Sequence, residues 1–212
     1  MRFLITAGGT REYIDPVRFI TNASSGRMGY ALAQAAMRAG HKVTLVTAPV
    51  AQQIPEGAKA VKIVSAAEMF EAVQKNFPAC DCLIMAAAVS DYTPAKPSKT
   101  KIKKMAKTIT IKLKPTVDIL KWAGQRKLKI KNQKSKIVVG FALEDKDIRA
   151  NAEKKLKAKK LDMIIANSPA AIGADKSSVQ LKTACCGWVK FENASKIKTA
   201  EKIIRRIEKL SL

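Results

Sequence analysis

Short apolar runs alternate along the 212-residue chain with segments of helical spacing. This alternation is typical of a parallel β-sheet covered by helices, because each crossover between parallel strands needs a long connection that a helix supplies. We therefore expect an α/β fold built on a mainly parallel sheet. The predicted strands are residues 2–7, 42–47, 60–65, 81–88, 136–142 and 161–166, and the predicted helices are residues 26–39, 66–76, 116–126 and 147–160.

Three later segments depart from the alternation. Residues 92–104, YTPAKPSKTKIKK, combine two prolines with a run of lysines and predict an exposed, mobile loop at about 92–106. Residues 107–114, KTITIKLK, alternate as a half-buried strand does. The tail predicts a hairpin that turns at Cys186 and Gly187, followed by a closing amphipathic helix. No linker divides the chain, so we expect one domain over residues 1–212.

The formal charge of +23 raises the hypothesis of a nucleic-acid-binding protein. Many of the lysines fall on the polar faces of residues 147–160 and 195–210, where lysines are usually just solvated. Aromatic residues make up only 5% of the chain, too few for a platform on which bases stack. We do not expect nucleic acid as a partner, although a basic nucleic-acid-binding module remains the non-enzyme alternative. Anionic small substrates would gain from the same positive field.

The amino-terminal residues and the cysteines predict the cellular compartment of the protein. The opening MRFLITAGG predicts a buried strand and a turn, which leaves no room for a secretory leader. No run of about 18 apolar residues predicts a membrane span. The single histidine, His41, and the four cysteines have poor zinc-ligand spacing, so we expect reduced thiols in a cytoplasmic protein. The cysteines are Cys80, Cys82, Cys185 and Cys186.

Two glycine-containing loops are candidates for a phosphate site. Gly8 and Gly9 follow the first strand and let the backbone approach a ligand, although a tight turn explains them equally well. Residues 22–29, NASSGRMG, place an amide, two serines and two glycines before a helix whose free N–H groups attract an anion. An N-cap by Ser24 or Ser25, with a packing contact at Gly29, accounts for the same residues equally well.

Two further strand ends are candidates for the same ligand. Residues 85–92, MAAAVSDY, end a strand in small side chains that leave space above the sheet, and Asp91 follows them. Asp91 either hydrogen bonds a ligand there or caps the next turn. Phe141, in VVGFALE, either stacks on a base or fills the core, which is the commoner role of a single phenylalanine.

Taken together, these stretches resemble the phosphopantothenoylcysteine synthetases (phosphopantothenate–cysteine ligases) of coenzyme A biosynthesis. The resemblance covers essentially the whole chain, and SSGRMG is more similar to the bacterial branch than to the eukaryotic one. The matching segments are ITAGGTRE, IDPVRFITNASSGRMG, AAAVSDY, KIKK, DIL, VVGFALE and KKLKAKKLDMIIAN.

The resemblance implies a Rossmann-like fold, a homodimer and a reaction in two halves. The carboxylate of 4′-phosphopantothenate attacks the α-phosphate of CTP to give an acyl-cytidylate, and the amine of L-cysteine then displaces CMP. Mg²⁺ is implied as the metal, and ATP replaces CTP in eukaryotic members. The chain begins at the synthetase's first strand, so we expect neither flavin nor the fused decarboxylase activity, and a separate decarboxylase acts next.

The resemblance also implies roles for single residues. Asn22 contacts the phosphopantothenate part and the acyl-cytidylate, and Lys101, in the mobile loop, closes over the triphosphate. Arg18 reaches across the dimer towards the neighbouring substrate, and Ala87, Ala88 and Asp91 line the substrate pocket. Val117 replaces the usual proline before Asp118, which leaves the backbone there less rigid. The implied nucleotide-binding residues are Gly8, Ser24, Gly26, Gly29, Asp91, Lys101, Asp118, Phe141, Lys155, Lys159 and Asn167.

A nicotinamide-dependent reductase is the rival enzyme hypothesis. That class would carry the spacing G-x-G-x-x-G after the first strand and an acidic residue after the second strand, and neither is present. The metal ligands stay undefined at this point.

Overall fold

The fold comes from a computed structural model that describes residues 1–104, 108–129 and 136–211. Its strands are β1 (Arg2–Ala7), β2 (Arg11–Tyr13), β3 (Phe19–Thr21), β4 (Lys42–Thr47), β5 (Lys59–Lys62), β6 (Cys82–Met85), β7 (Tyr92–Pro94), β8 (Leu113–Pro115), β9 (Ile137–Leu143), β10 (Met163–Asn167), β11 (Lys176–Thr183) and β12 (Val189–Ser195). Its helices are α1 (Arg27–Arg38), α2 (Ala66–Asn76), α3 (Ile119–Lys127), α4 (Ile148–Ala158) and α5 (Lys196–Leu210).

The central sheet has the strand order β12-β11-β10-β9-β6-β1-β4-β5. The six strands from β10 to β5 run parallel, and the hairpin of β11 and β12 continues the sheet antiparallel to β10. In chain order the six parallel strands follow the 3-2-1-4-5-6 arrangement of the Rossmann fold. The predicted α/β class, the mainly parallel sheet and the closing hairpin and helix are therefore confirmed.

Helices cover both faces of the sheet and make three layers. Because both faces are covered, β1 is apolar on both sides: Phe3 and Ile5 face α1 and α5, whereas Leu4 faces the layer that contains α2, α3 and α4. In α5 the fully buried residues recur at helical spacing, and they pack with α1 against the face of the sheet that carries Phe3 and Ile5. Within the described ranges, no helix combines the length and apolarity needed to cross a membrane.

Several predicted boundaries differ from the observed ones. The strand predicted for residues 81–88 ends at Met85, and beyond it Ala88 pairs with Gly9 in an isolated parallel bridge. The helix predicted from residue 116 begins at Ile119, since Asp118 caps it by accepting the N–H of Lys121. Of the strand predicted for residues 107–114, Lys107 lies outside the described residues, and only Leu113 and Lys114 belong to a strand, β8.

Two small sheets flank the carboxyl edge of the main sheet. The hairpin of β2 and β3 was not predicted from the sequence. Strand β7 occupies Tyr92–Pro94, at the start of the predicted loop, and pairs with β8. Residues 95–104 carry no helix or strand, and residues 105 and 106 of that predicted loop lie outside the described residues.

Candidate active site

A cavity of about 450 Å³ opens at the carboxyl edge of the sheet, between the ends of β1 and β6. The strand order reverses between these two strands, and ligands of open α/β sheets bind at such a reversal. Main-chain hydrogen bonds join the two loops beneath the cavity: the N–H of Ala88 donates to Gly8 O (2.8 Å), and the N–H of Thr10 donates to Ala88 O (3.2 Å). The floor of the site is therefore largely main chain.

A second large cavity, about 530 Å³, lies at the opposite edge of the sheet, where the amino ends of β1 and β4 contribute Arg2 and Lys42. The two volumes are too similar to show which cavity is the active site. The loops that follow the strands converge only on the carboxyl edge, and the functional groups predicted from the sequence follow the strands there. We therefore take the cavity at the carboxyl edge as the candidate active site.

Helix α1 begins in the cavity wall without a side-chain cap. Its N-cap residue is Gly26, in the left-handed conformation with φ of 72°, so the predicted N-cap by Ser24 or Ser25 is wrong. Ser24 Oγ instead accepts the N–H of Gly26 (3.4 Å). The first N–H groups of a helix have no partner within the helix, and at α1 the N-cap residue, Gly26, has no side chain to serve as one. This wall is suited to an anion.

Two cations stand beside the start of α1. Arg27 Nη1 pairs with Asp175 Oδ1 (2.8 Å) and donates to Gly173 O (3.2 Å). Lys196, the first residue of α5, lines the cavity and donates to Ala171 O (3.2 Å). Burial, followed by repulsion from Arg27, lowers the pKa of Lys196. An anionic ligand would relieve that repulsion.

Asn22 lies at the mouth of the same cavity and bridges to the loop after β6. Its Nδ2 group donates to Ala88 O (3.3 Å) and to Val89 O (3.2 Å). These contacts turn the side chain towards the loop that carries Ala87, Ala88 and Asp91, all of which line the cavity. The amide side chain predicted from NASSG is thus placed between the two loops that were predicted to hold substrate.

A smaller chamber of about 160 Å³ adjoins the first, and Asp91, Phe141 and Lys155 line both. Asp118 and Lys159 close its far side as an ion pair at 2.8 Å. Burial raises the pKa of Asp118, but the hydrogen bonds from Lys159 and from the N–H of Lys121 outweigh it, and the pKa is lowered. The carboxylate is therefore ionised at neutral pH.

Lys155 reaches the boundary between the two chambers from α4. Its Nζ donates to Phe141 O (2.8 Å), the main-chain oxygen of a residue in β9. Burial, followed by repulsion from Lys159 one helical turn further along, lowers the pKa of Lys155. The two chambers together place positive charge at the α1 end and at the α4 end, with small side chains between them.

The chain matches a known protein family over nearly its whole length. The model of the family described as "DFP: DNA/pantothenate metabolism flavoprotein C-terminal domain" matches residues 1–210. The chain belongs to this family.

Curated relatives and a solved structure agree with this assignment. The coenzyme A biosynthesis bifunctional protein CoaBC of Bacillus subtilis is 50% identical over 81% of this chain and 41% of that protein. A protein named cysteine/cysteine sulfinic acid decarboxylase, from an unknown prokaryotic organism, is 46% identical over 97% of this chain and 57% of that protein. The crystal structure of the C-terminal domain of a CoaBC protein is 37% identical and superimposes with a TM-score of 0.83, covering 99% of this chain and 94% of that one.

The family predicted from the sequence motifs is confirmed by these matches. The chain spans about half the length of the curated relatives it matches. What those longer proteins do as a whole does not transfer to this chain by similarity alone.

Most of the residues predicted for the site converge on the two chambers. The residues that line the larger chamber are Asn22, Ser24, Gly26, Gly29, Ala87, Ala88, Asp91, Phe141, Lys155 and Asn167. Asp118 and Lys159 line only the smaller chamber. Gly8 is buried behind the wall in the left-handed conformation, with φ of 83°. Arg18 and Lys101 line neither chamber, and their roles stay predictions.

Gly29 serves packing as well as the cavity wall. A Cβ atom at this position would lie 2.6 Å from Ala7 Cβ and 2.9 Å from Thr6 O, so α1 crosses β1 in close contact there. This is the packing contact that the sequence left open as an alternative. Phe141 likewise lines the cavity and also packs partly against the core.

Sequence reasoning missed several residues of the site. Arg27, Leu143, Lys196 and the segment 171–173 line the larger chamber without having been predicted. Lys196 carried one usable signal: Ser195 precedes an amphipathic pattern and caps α5 by accepting the N–H of Lys198 (3.3 Å). Because β12 runs antiparallel to β11, it ends at the carboxyl edge of the sheet, and α5 begins there. This position could be predicted only if the hairpin were known to extend the sheet.

The described residues contain no group of three or more His, Cys, Asp or Glu side chains that could hold a metal ion. The cysteines are free thiols: Cys80 and Cys82 are buried, and Cys185 and Cys186 are exposed. Asp91 is the acid that lines both chambers, and one carboxylate is a normal protein contribution to a Mg²⁺ ion held mainly by substrate phosphates. The residues present fit such an ion and do not fit a metal held by the protein alone.

Proposed function

We propose that the chain is a phosphopantothenate–cysteine ligase that uses a nucleoside triphosphate. The observation that carries the proposal is the uncapped start of α1, which faces a cavity shared with Asn22, Lys196 and Asp91 in a chain of the DFP family. A site for a phosphate chain and a site for a polar acyl group adjoin there. The names of the relatives point to coenzyme A biosynthesis, and the sequence motifs supply the substrates of the proposal.

In the first half-reaction the phosphopantothenate carboxylate attacks the α-phosphorus of the nucleotide. A bond forms between the carboxylate oxygen and phosphorus, and the bond to the β-phosphate bridge breaks to release pyrophosphate. The free N–H groups of α1, with Arg27 and Lys196, would hold the phosphates and stabilise the negative charge that develops. The neutral amide of Asn22 would hydrogen bond the acyl group without adding a charge.

In the second half-reaction the cysteine amine, in its neutral form, attacks the acyl carbon. The amide bond forms as the bond to the nucleotide phosphate breaks, the nucleoside monophosphate leaves, and the nitrogen loses a proton to solvent. Residues of the loop 86–91 would line the acyl side of this step. Lys101 would close over the phosphates and exclude water from the mixed anhydride.

The smaller chamber is the proposed position of the nucleoside. Phe141 contributes an aromatic side chain to its lining, and the ion pair of Asp118 and Lys159 offers an acceptor and a donor at fixed positions. We propose CTP as the co-substrate, with ATP as the alternative. Mg²⁺ would neutralise triphosphate charge, and Asp91 is the residue that would contact it.

The remaining proposals concern assembly and cofactors. We propose a homodimer in which Arg18 approaches the neighbouring substrate, a cytoplasmic location, and a separate decarboxylase that takes the product. We also propose that no flavin is bound, although the family description names a flavoprotein. The visible spectrum of the purified protein tests the flavin proposal directly, and light scattering in solution tests the dimer.

Pyrophosphate release is the assay that tests the ligase. The protein is incubated with Mg²⁺, phosphopantothenate, L-cysteine and each of CTP, ATP, GTP and UTP in turn, and the product is identified by mass spectrometry. We expect pyrophosphate release with CTP that requires the acid, that continues beyond the first turnover only when cysteine is present, and that yields a product of the mass of phosphopantothenoylcysteine. No release with any nucleotide, from folded protein, overturns the proposal. Carbon dioxide release from cysteine alone, without nucleotide, would instead favour the decarboxylase named in one relative.

A further inference from the structure

Asp15 is a buried acid that the proposed reaction does not use. It lies in the turn between β2 and β3, and its side chain is 0% exposed. Its Oδ1 atom accepts the N–H groups of Val17 (2.9 Å) and Arg18 (2.8 Å), and its Oδ2 atom accepts the N–H of Ile102 (3.1 Å). Oδ2 also lies 3.0 Å from Arg18 Nη2.

Asp15 and Arg18 together hold both main-chain groups of Ile102. Asp15 accepts its N–H, and Arg18 Nη2 donates to its carbonyl oxygen at 2.5 Å. Ser98, four residues earlier, donates its N–H to Ile14 O (2.8 Å). The segment 98–102 is therefore attached to the β2–β3 turn at both ends, by contacts that are independent of its own side chains.

The carboxylate form of Asp15 is the form that these contacts favour. Burial raises its pKa, but the N–H donors of Val17, Arg18 and Ile102, together with the charge of Arg18, outweigh burial and lower the pKa. A neutral replacement would weaken the acceptor for the partly buried N–H of Ile102 and would remove the charge that pairs with Arg18. Within the part of the chain that the structure describes, the charged group that faces Asp15 is the guanidinium of Arg18.

We propose that Asp15 is a positioning residue that, with Arg18, fixes the segment 98–102 and thereby sets the place of Lys101. This inference rests on the proposed function for its consequence in catalysis, but not for its structural part. Lys101 directly precedes Ile102, so its main chain is held while its exposed side chain stays free to move. The same carboxylate also holds Arg18, so the arginine predicted to bind substrate and the lysine predicted for catalysis are coupled through one acid.

Limited trypsin digestion tests the structural part without any need for activity. Lys99, Lys101 and Lys103 are cleavage sites in or beside the segment, and mass spectrometry measures the rate at each. We expect Asp15→Asn to speed cleavage roughly tenfold or more, because losing charge-assisted hydrogen bonds raises the population in which the segment is detached and open to the protease. Glu71→Gln, which removes one charge from the exposed face of α2, is the matched control and should cleave at the wild-type rate.

A second variant keeps this test decisive if Asp15→Asn unfolds the protein. Ile102→Pro removes the N–H that Asp15 accepts, fixes φ at that residue, and leaves every residue of the β2–β3 turn unchanged. Cleavage after Lys99 and Lys103 should again accelerate, while the urea midpoint stays near that of the wild type. Wild-type cleavage rates in both folded variants overturn the inference.

A double-mutant cycle tests the consequence for catalysis. Turnover is measured for Asp15→Asn, for Lys101→Gln and for the double variant. If Asp15 acts through Lys101, the double variant is no slower than Lys101→Gln alone, and Asp15→Asn lowers kcat more than it raises KM. If the double variant loses turnover by the product of the two single-variant factors, the assigned role of Asp15 is overturned. If the folded wild-type protein shows no ligase activity, the proposed function is refuted. The digestion result would still decide whether Asp15 holds the segment 98–102.

Discussion

At the scale of single residues, Asn22 lies at a position where the surrounding main chain requires a hydrogen-bond donor. Its nitrogen lies within hydrogen-bond distance of two main-chain carbonyl oxygens, of Ala88 and Val89. Only a donor satisfies two acceptors there. The sequence could identify Asn22 as a candidate, but not its partners, because Ala88 and Val89 are more than sixty residues away along the chain.

The variant Asn22→Asp should therefore lose activity while keeping the fold. A carboxylate would face two carbonyl oxygens and an acyl phosphate, so we expect kcat/KM for pyrophosphate release to fall about 100-fold or more. The assay is run beside a thermal melt, which should shift by only a few degrees. Wild-type turnover in the folded variant would show that Asn22 has no part in the chemistry.

The four thiols should separate into two reactivity classes. Burial raises the pKa of Cys80 to about 11 and raises that of Cys82 as well. A chain of hydrogen bonds that joins Thr183, Cys185 and Cys186 lowers the pKa of Cys186, so its reactive thiolate is more populated near pH 8. Iodoacetamide labelling of the native protein, read by peptide mass mapping, should modify Cys186 first and leave Cys80 and Cys82 unlabelled until urea is added. Early labelling at Cys82 would contradict the buried position of β6.

At the scale of elements, the long periodic segments were predicted well and the short ones were not. Strands β1 and β4 have the predicted bounds, because their apolar runs are buried on both faces and end at turns. The pairs β2–β3 and β7–β8 are three residues a strand, too short for a periodic signal. These small sheets hold the segments that carry Arg18 and Lys101, so the least predictable elements lie next to residues with predicted roles.

The contact of α1 with β1 predicts the effect of filling Gly29. Gly29→Ala would push a methyl group to within 2.6 Å of Ala7 Cβ, and we expect the free energy of unfolding to fall by about 1–3 kcal/mol. Gly187→Ala is the control, since a Cβ there has no atom within 4 Å. Urea denaturation measures both. Equal midpoints for the two variants would show that α1 can move away from the sheet without cost.

At the scale of the whole molecule, the sequence predicted which edge of the sheet carries the site but not the full set of cations there. The strand-end rule needs only the order of elements, and it predicted Ala88, Asp91 and Phe141 at one edge, where they line a single cavity. Asn22, which was predicted from the helix start that follows it, lines the same cavity. Lys196 is brought to the same place by the antiparallel hairpin of β11 and β12. That topology depends on pairing between distant segments, which residue patterns alone do not specify.

The charge of +23 predicts a dependence of catalysis on salt. A positive surface attracts anionic substrates over roughly a Debye length, about 10 Å at 0.1 M, so kcat/KM should fall several-fold between about 0.05 and 0.3 M salt while kcat changes little. Steady-state kinetics at a series of salt concentrations measures this. A salt-independent kcat/KM, with tight DNA binding in the same buffers, would favour the nucleic-acid alternative instead.

The main-chain floor of the cavity has a consequence for inhibition. The wall beside it is lined by Ala87, Ala88, Gly26 and Gly29, and the loops beneath are joined through peptide groups. An inhibitor that hydrogen bonds to the N–H groups at the start of α1, in the same wall, would contact atoms that every amino acid except proline possesses. Resistance by point substitution would then require added bulk, and added bulk in this space would obstruct the natural ligand too.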